Sequence, residues 1–135
     1  MDQYEIIKNI LLSTKTIASV GLSSNAEKVS YGIGQYLQGQ GYHVIPVNPT
    51  ADEILGEKSY PDLESIPEKV DVVQVFRRPE DVPPIVESAI KIGAKVVWMQ
   101  EGIVNEEAAQ MAREAGLQVV MDACMRSTHQ FLVRS

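Results

Sequence analysis

Four groups of residues in this chain have the types and spacing to do chemistry, and each closes an apolar run. Gly21, Leu22, Ser23 and Ser24, with Asn25 beyond them, follow the run over 17–20. Val47, Asn48 and Pro49 end a second run, and Phe76, Arg77 and Arg78 end a third. Met99, Gln100, Glu101 and Gly102 end a fourth. A glycine lets backbone come close to a ligand. A helix that starts beyond such a loop offers free N–H groups and a partial positive charge. Gly21, Ser23, Ser24 and Asn25 therefore suit a phosphate, although the same pattern also serves an ordinary strand-to-helix turn. Arginine presents a planar fork that matches phosphate oxygens. The alternative for Arg77 and Arg78 is a solvated pair that aids solubility. Glycine turns, hydroxyls, amides and two adjacent arginines together describe a pocket for a phosphorylated, mostly neutral small molecule.

These groups need strands to hold them. Apolar runs over 17–20, 43–47, 70–76, 95–99 and 117–121 read as five strands. Between them the periodicity predicts helices. One starts near Ser30, taken as its N-cap, with Tyr31, Ile33, Tyr36 and Leu37 apolar, and ends at Gly39 and Gly41. One starts near Asp81, with Pro83 and Pro84 in its first turn and a stripe of Val82, Ile85, Val86, Ala89 and Ile90. One is capped by Asn105, with Ala108, Met111, Ala112 and Ala115 inward. An opening helix over 2–12 presents Tyr4, Ile7, Ile10 and Leu11. Residues 50–69 read as polar turns with one brief helical turn over 62–66, and 127–133 as a short final helix. Gly32 and Gly34 weaken their helix by about 1 kcal/mol each against alanine, so close packing on a strand or on a ligand is expected there.

Strictly alternating strands and helices imply an α/β fold. The expected form is Rossmann-like and doubly wound, a five-stranded parallel sheet with helices on both faces. All four chemical groups then fall at the carboxyl ends of the strands, where ligands bind in such sheets. A chain of 135 residues suits one domain over 1–135 with its own core. Its regions are the helix over 2–12, a core over about 15–124 and a tail over 125–135.

The formal charge of −6 argues against nucleic acid or an anionic membrane as the main partner. The single cysteine, Cys124, excludes an internal disulfide. It is either a packing residue or a thiol facing a ligand thiol. The polar, acidic N-terminus lacks a signal-peptide core, so a cytoplasmic location is expected. A dinucleotide site of the usual kind is disfavoured. The G-x-G-x-x-G fingerprint is absent after Gly21, and Asn48-Pro49 stands where a ribose-binding carboxylate belongs. His43 lies at a strand start and reads as structural. Trp98 reads as core rather than as a stacking platform.

Five segments together resemble a known family. They are 17–23 (Ile-Ala-Ser-Val-Gly-Leu-Ser), 41–49 (Gly-Tyr-His-Val-Ile-Pro-Val-Asn-Pro), 70–78 (Val-Asp-Val-Val-Gln-Val-Phe-Arg-Arg), 93–103 (Gly-Ala-Lys-Val-Val-Trp-Met-Gln-Glu-Gly-Ile) and 112–122 (Ala-Arg-Glu-Ala-Gly-Leu-Gln-Val-Val-Met-Asp). In this order they resemble the stand-alone CoA-binding proteins related to the CoA-binding domain of the succinyl-CoA synthetase α subunit. The resemblance implies binding of coenzyme A or an acyl-CoA. It places the loop from Gly21 to Ser23 at the phosphates, with Lys28 as a further contact. It sets Val47, Asn48, Pro49, Phe76, Arg77 and Arg78 at the ADP part. The far wall falls to Trp98 and Met99 through Gly102. The family commonly continues Asp-x-Cys-Pro after the last strand, whereas this chain reads Asp122-Ala-Cys124-Met125-Arg126. The synthetase's phosphohistidine domain has no counterpart here, so its catalysis is not expected to transfer. The expected function is therefore a non-catalytic carrier, sensor or accessory protein. The alternatives are a small NADP-dependent reductase, an acyl-CoA-handling enzyme, or a nucleotide-binding regulatory module. Homodimerisation or a protein partner is compatible with the sequence, and no segment locates an interface.

Overall fold

The computed structural model describes residues 2–134. The chain runs α1 (Gln3–Ser13), β1 (Thr16–Val20), α2 (Val29–Gly39), β2 (His43–Val47), β3 (Glu53–Ile54) and β4 (Glu57–Lys58). It continues through β5 (Val72–Val75), α3 (Val82–Lys91), β6 (Val96–Met99), α4 (Glu106–Glu114), β7 (Gln118–Val120) and α5 (Met125–His129). Single 3₁₀ turns occupy Leu63–Ser65 and Pro79–Asp81, and a π turn follows α5 over Gln130–Arg134.

Five strands form one parallel sheet in the order β2-β1-β5-β6-β7. The fold is thus the expected doubly wound α/β sheet, with β1 at the point where the chain reverses direction across it. Parallel strands covered on both faces read as continuous apolar runs, as these do. Alternate residues feed two cores. Ile17, Val44, Val72, Val96 and Trp98 face α1, α2 and Met125 of α5. Ala18, Val73, Val75, Val97 and Met99 face α3 and α4. Trp98 is fully buried and its Nε1–H donates to Ala123 O at 2.8 Å, so it belongs to the core as expected.

The described elements depart from the sequence reading in particular places. The second helix begins at Val29 with Lys28 at its N-cap, and Ser30 does not cap it. Tyr4 of α1 is 65% exposed and leaves the buried stripe to Ile7, Ile10 and Leu11. In α4, Ala109 is buried instead of Ala115, which ends the helix in solvent. Residues 53–58 form a small antiparallel hairpin through Leu55 and Gly56, where only turns were expected. The nearest neighbours of a side chain at Gly34 lie in loops. A Cβ there would lie 3.1 Å from methyl groups of both Leu22 and Leu55, so the glycine seats α2 on two loops.

β5 covers only Val72–Val75 of its apolar run, and Asp71 just before it works as a clamp. Its Oδ2 accepts from the Lys15 and Thr16 N–H groups at 2.9 and 3.0 Å. Its Oδ1 lies 3.6 Å from Lys95 Nζ. Three strand starts are thereby tied at the end of the sheet opposite the cleft. Burial pushes the Asp71 carboxyl up, but the Thr16 and Lys15 N–H bonds and the Lys95 charge outweigh it, so the group lies below its ordinary value. The linkage follows from that sign. The stabilisation is complete above the unfolded value near pH 4 and is lost as the pH falls through the folded one. Asp71→Asn is expected to cost about 1–2 kcal/mol at pH 7, the worth of charge-assisted hydrogen bonds. Urea unfolding of both proteins at pH 7 and pH 3 checks this, because the difference should shrink at the lower pH.

His43 starts β2 at the same end. Its Nε2 pairs with Glu57 at 2.9 Å and its Nδ1 with Glu68 at 2.7 Å, which is the structural role expected of it.

Candidate ligand-binding cleft

The loops after β1 and β5 diverge where the sheet order reverses, and a crevice between them is the geometric consequence. Gly21 makes the turn after β1. Its φ is +90°, its N–H donates to Val47 O at 3.0 Å, and a Cβ there would stand 2.8 Å from Phe76 O. Three strand ends therefore converge on one glycine.

The loop after Gly21 is braced from within. Ser23 N–H donates to Ser30 Oγ at 3.0 Å, Asn25 N–H to Ser23 Oγ at 3.0 Å, and Glu27 N–H to Asn25 Oδ1 at 2.9 Å. Ser30 thus closes the loop instead of capping α2. Asn48 fixes the loop from the side, its Nδ2 donating to Leu22 O at 3.1 Å while Oδ1 accepts from Thr50.

The cleft has a volume of about 640 Å³. Of the residues expected at the site, it brings together Gly21, Ser23, Lys28, Phe76, Arg77, Arg78, Gln100 and Glu101. The others lie elsewhere. Leu22, Val47 and Met99 are buried in the core beneath it. Ser24 and Pro49 are exposed outside its lining, and Asn48 braces the loop. Gly102, with φ +86°, donates its N–H to Asp122 Oδ1 at 2.7 Å and so ties the β6 and β7 ends together.

Val29, Ser30, Ile33, Pro79, Ile103 and Cys124 complete the lining. Five of these six lie within a few residues in sequence of an expected member. Val29 and Ile33 are one helical turn apart behind Lys28, a spacing that placed them on one face.

Charge in the cleft is mixed. Arg78 Nε donates to Asp81 Oδ2 at 3.1 Å, and Arg78 Nη1 lies 3.8 Å from Glu80. Arg77 Nη2 lies 3.8 Å from the same Asp81 oxygen. Both arginines are solvent-exposed, Arg78 more than Arg77, and are held by carboxylates at the start of α3, so a phosphate would compete with Asp81 for them. Lys28 has no ion pair among the described residues.

A buried amide chain forms the floor. Ser19 Oγ donates to Gln74 Oε1 at 2.9 Å, and Gln74 Nε2 donates to Gln100 Oε1 at 3.1 Å. Gln100 Oε1 also accepts from Met125 N at 3.1 Å. The chain crosses three central strands and ends on α5, so it fixes where Cys124 sits. Burial raises the Cys124 thiol, but hydrogen bonds with Ser127, the Arg126 N–H and the Gln100 side chain outweigh it. The thiol consequently lies below its ordinary value.

Comparison with known proteins bears on this arrangement. A family model described as "CoA binding domain" matches residues 15–130. An uncharacterised protein of Bacillus subtilis, YneT, is 46% identical over 123 residues, 91% of each chain. The solved structure of a hypothetical protein from Pyrococcus horikoshii superposes with a TM-score of 0.95 at 44% identity, over 98% of this chain and 93% of that one. An ADP-forming acetate–CoA ligase of Archaeoglobus fulgidus is 32% identical over 87 residues, 63% of this chain but 13% of the ligase. With five parallel strands, a cleft at the reversal of strand order and a matching model over 15–130, this chain belongs to the family of CoA-binding domains.

Proposed function

We propose that the protein binds coenzyme A or an acyl-CoA in this cleft and acts as a cytoplasmic carrier, sensor or accessory protein without catalysis of its own. One observation carries the reading. A cleft of about 640 Å³ opens at the strand-order reversal, with Gly21, Lys28, Arg77 and Arg78 around it, in a chain of a CoA-binding family. Gly21 and the start of α2 take the phosphates, because backbone can approach there and the helix end is positive. Lys28 adds a charge. Phe76, Arg77 and Arg78 border the ADP part. Gln100 and Glu101 form the far wall, which leads to Cys124.

Thermal unfolding with CoA, dephospho-CoA, NAD, NADP and AMP in parallel tests this. At a hundred times Kd a ligand adds about 2.7 kcal/mol, which in a domain of this size raises the midpoint by about 10 °C. CoA is expected to raise it, dephospho-CoA less, and NAD not at all. A shift with NADP alone would overturn the choice of cofactor and keep only the phosphate site. No shift with any of the five at millimolar concentration would overturn the reading.

A further inference from the structure

We propose that Arg126 is a phosphate-binding residue of the cleft, a role that rests on the reading of the cleft as a nucleotide site. Arg126 follows Cys124 by two residues, in the segment just past β7. The short helix α5 carries it across α2. Its Nη1 lies over Gly32, 3.3 Å from where a Cβ would stand. Gly32 is three residues from Val29 and next to Ile33, and both of those line the cleft. Arg126 is not itself among the residues lining the cleft; its guanidinium lies against α2 beside Val29 and Ile33, near the positive end of that helix.

Charge supports the assignment. Arg77 and Arg78 are answered by Asp81 and Glu80 at 3.1–3.8 Å. Arg126 has no ion pair among the described residues. A phosphate reaching it displaces no carboxylate. The glycine beneath it then has a physical reason. A helix-interior glycine costs about 1 kcal/mol against alanine, and here it leaves room for a planar cation beside the cleft. Guanidinium and phosphate form a bidentate, charge-assisted pair, so the group recognised is a phosphate of the nucleotide part of the ligand.

Calorimetric titration of the full chain with CoA and separately with ADP, at low and high salt, tests this for the wild type, Arg126→Ala, Arg126→Lys and Gly32→Ala. Arg126→Ala is expected to weaken binding by about tenfold to a hundredfold, the worth of a hydrogen bond to a charged group. Its binding should also depend less on salt, because one screened charge pair is gone. Arg126→Lys should recover part of the loss, keeping charge without the fork. Gly32→Ala should weaken binding severalfold by lifting the guanidinium. If Arg126→Ala fails to fold, the lysine and Gly32 variants decide. Binding of both ligands within twofold of wild type by the variants would overturn the role of Arg126 and leave the CoA reading standing. Wild-type binding of ADP but not CoA would overturn the CoA reading, and the ADP titrations would then judge Arg126. Wild-type binding of neither at millimolar ligand would overturn both.

Discussion

Gly21→Ala is expected to lower the melting midpoint by on the order of 10 °C and to remove CoA binding. Two independent costs add at this position. At φ +90° an alanine is strained, by roughly 1–2 kcal/mol. Its Cβ would also stand 2.8 Å from Phe76 O and 3.0 Å from Arg77 Cδ. The first of these is backbone held in the sheet, since Phe76 N–H donates to Val20 O at 2.8 Å. It cannot rotate away as a side chain would. Relief requires the loops after β1 and β5 to part, which is a movement of the cleft itself. A total near 3 kcal/mol corresponds to about 10 °C in a domain of this size. Thermal unfolding with and without CoA measures both effects. A variant that melts within 2–3 °C of wild type would show that the turn at Gly21 relaxes easily, and the argument from convergence of three strand ends would fail.

The double charge reversal Arg77→Glu, Arg78→Glu is expected to weaken CoA binding at least tenfold and to leave stability nearly unchanged. Both side chains are exposed, and their ion pairs with Asp81 and Glu80 are surface pairs that contribute little to folding. Phosphate is different, because each charge-assisted hydrogen bond lost there is worth about 1.5–3 kcal/mol. The structure adds a second arm to the experiment. Asp81 holds both arginines, so Asp81→Asn should free them and tighten CoA binding modestly. Calorimetric titration of the two variants reads both effects. If reversal leaves the affinity intact, the pair is only a solvated surface feature, and the phosphates are met by Lys28, the start of α2 and Arg126.

Much of this molecule is readable in one dimension because its signals are local. The apolar runs over 17–20, 43–47 and 95–99 mark strands of the sheet, since a parallel sheet buried on both faces needs uninterrupted apolar residues. Asn105 caps α4 through Oδ1 and the Ala108 N–H at 2.9 Å, as its position before an apolar period implies. Cleft residues beside strand ends, such as Gly21, Phe76, Arg77 and Gln100, follow from the same logic once the sheet is parallel. The hairpin over 53–58 was not legible. Its strands are two residues long, and their pairing relies on contact with β2 and α2 rather than on any pattern of their own. Ser30 departs from its local signal for a related reason. A serine at a helix start favours capping, but a loop folding back across it offered the Ser23 N–H instead.

The sequence by itself determined the class of fold, the order of elements and the end of the sheet at which the cleft opens. Period, turn residues and alternation of strand with helix carry that information within short windows. Only the tertiary structure decided which strand-end residues share a cleft and which are core. Leu22, Val47 and Met99 sit beside cleft residues in sequence, yet they point into the sheet's packed layers. Only the tertiary structure joined Ser19, Gln74 and Gln100 into one buried chain, across three strands separated by 55 and 26 positions. It also set Arg126 over Gly32. The reason is common to all three cases. Side-chain direction at a strand end and contact between elements far apart in sequence depend on register and packing, which no local pattern encodes.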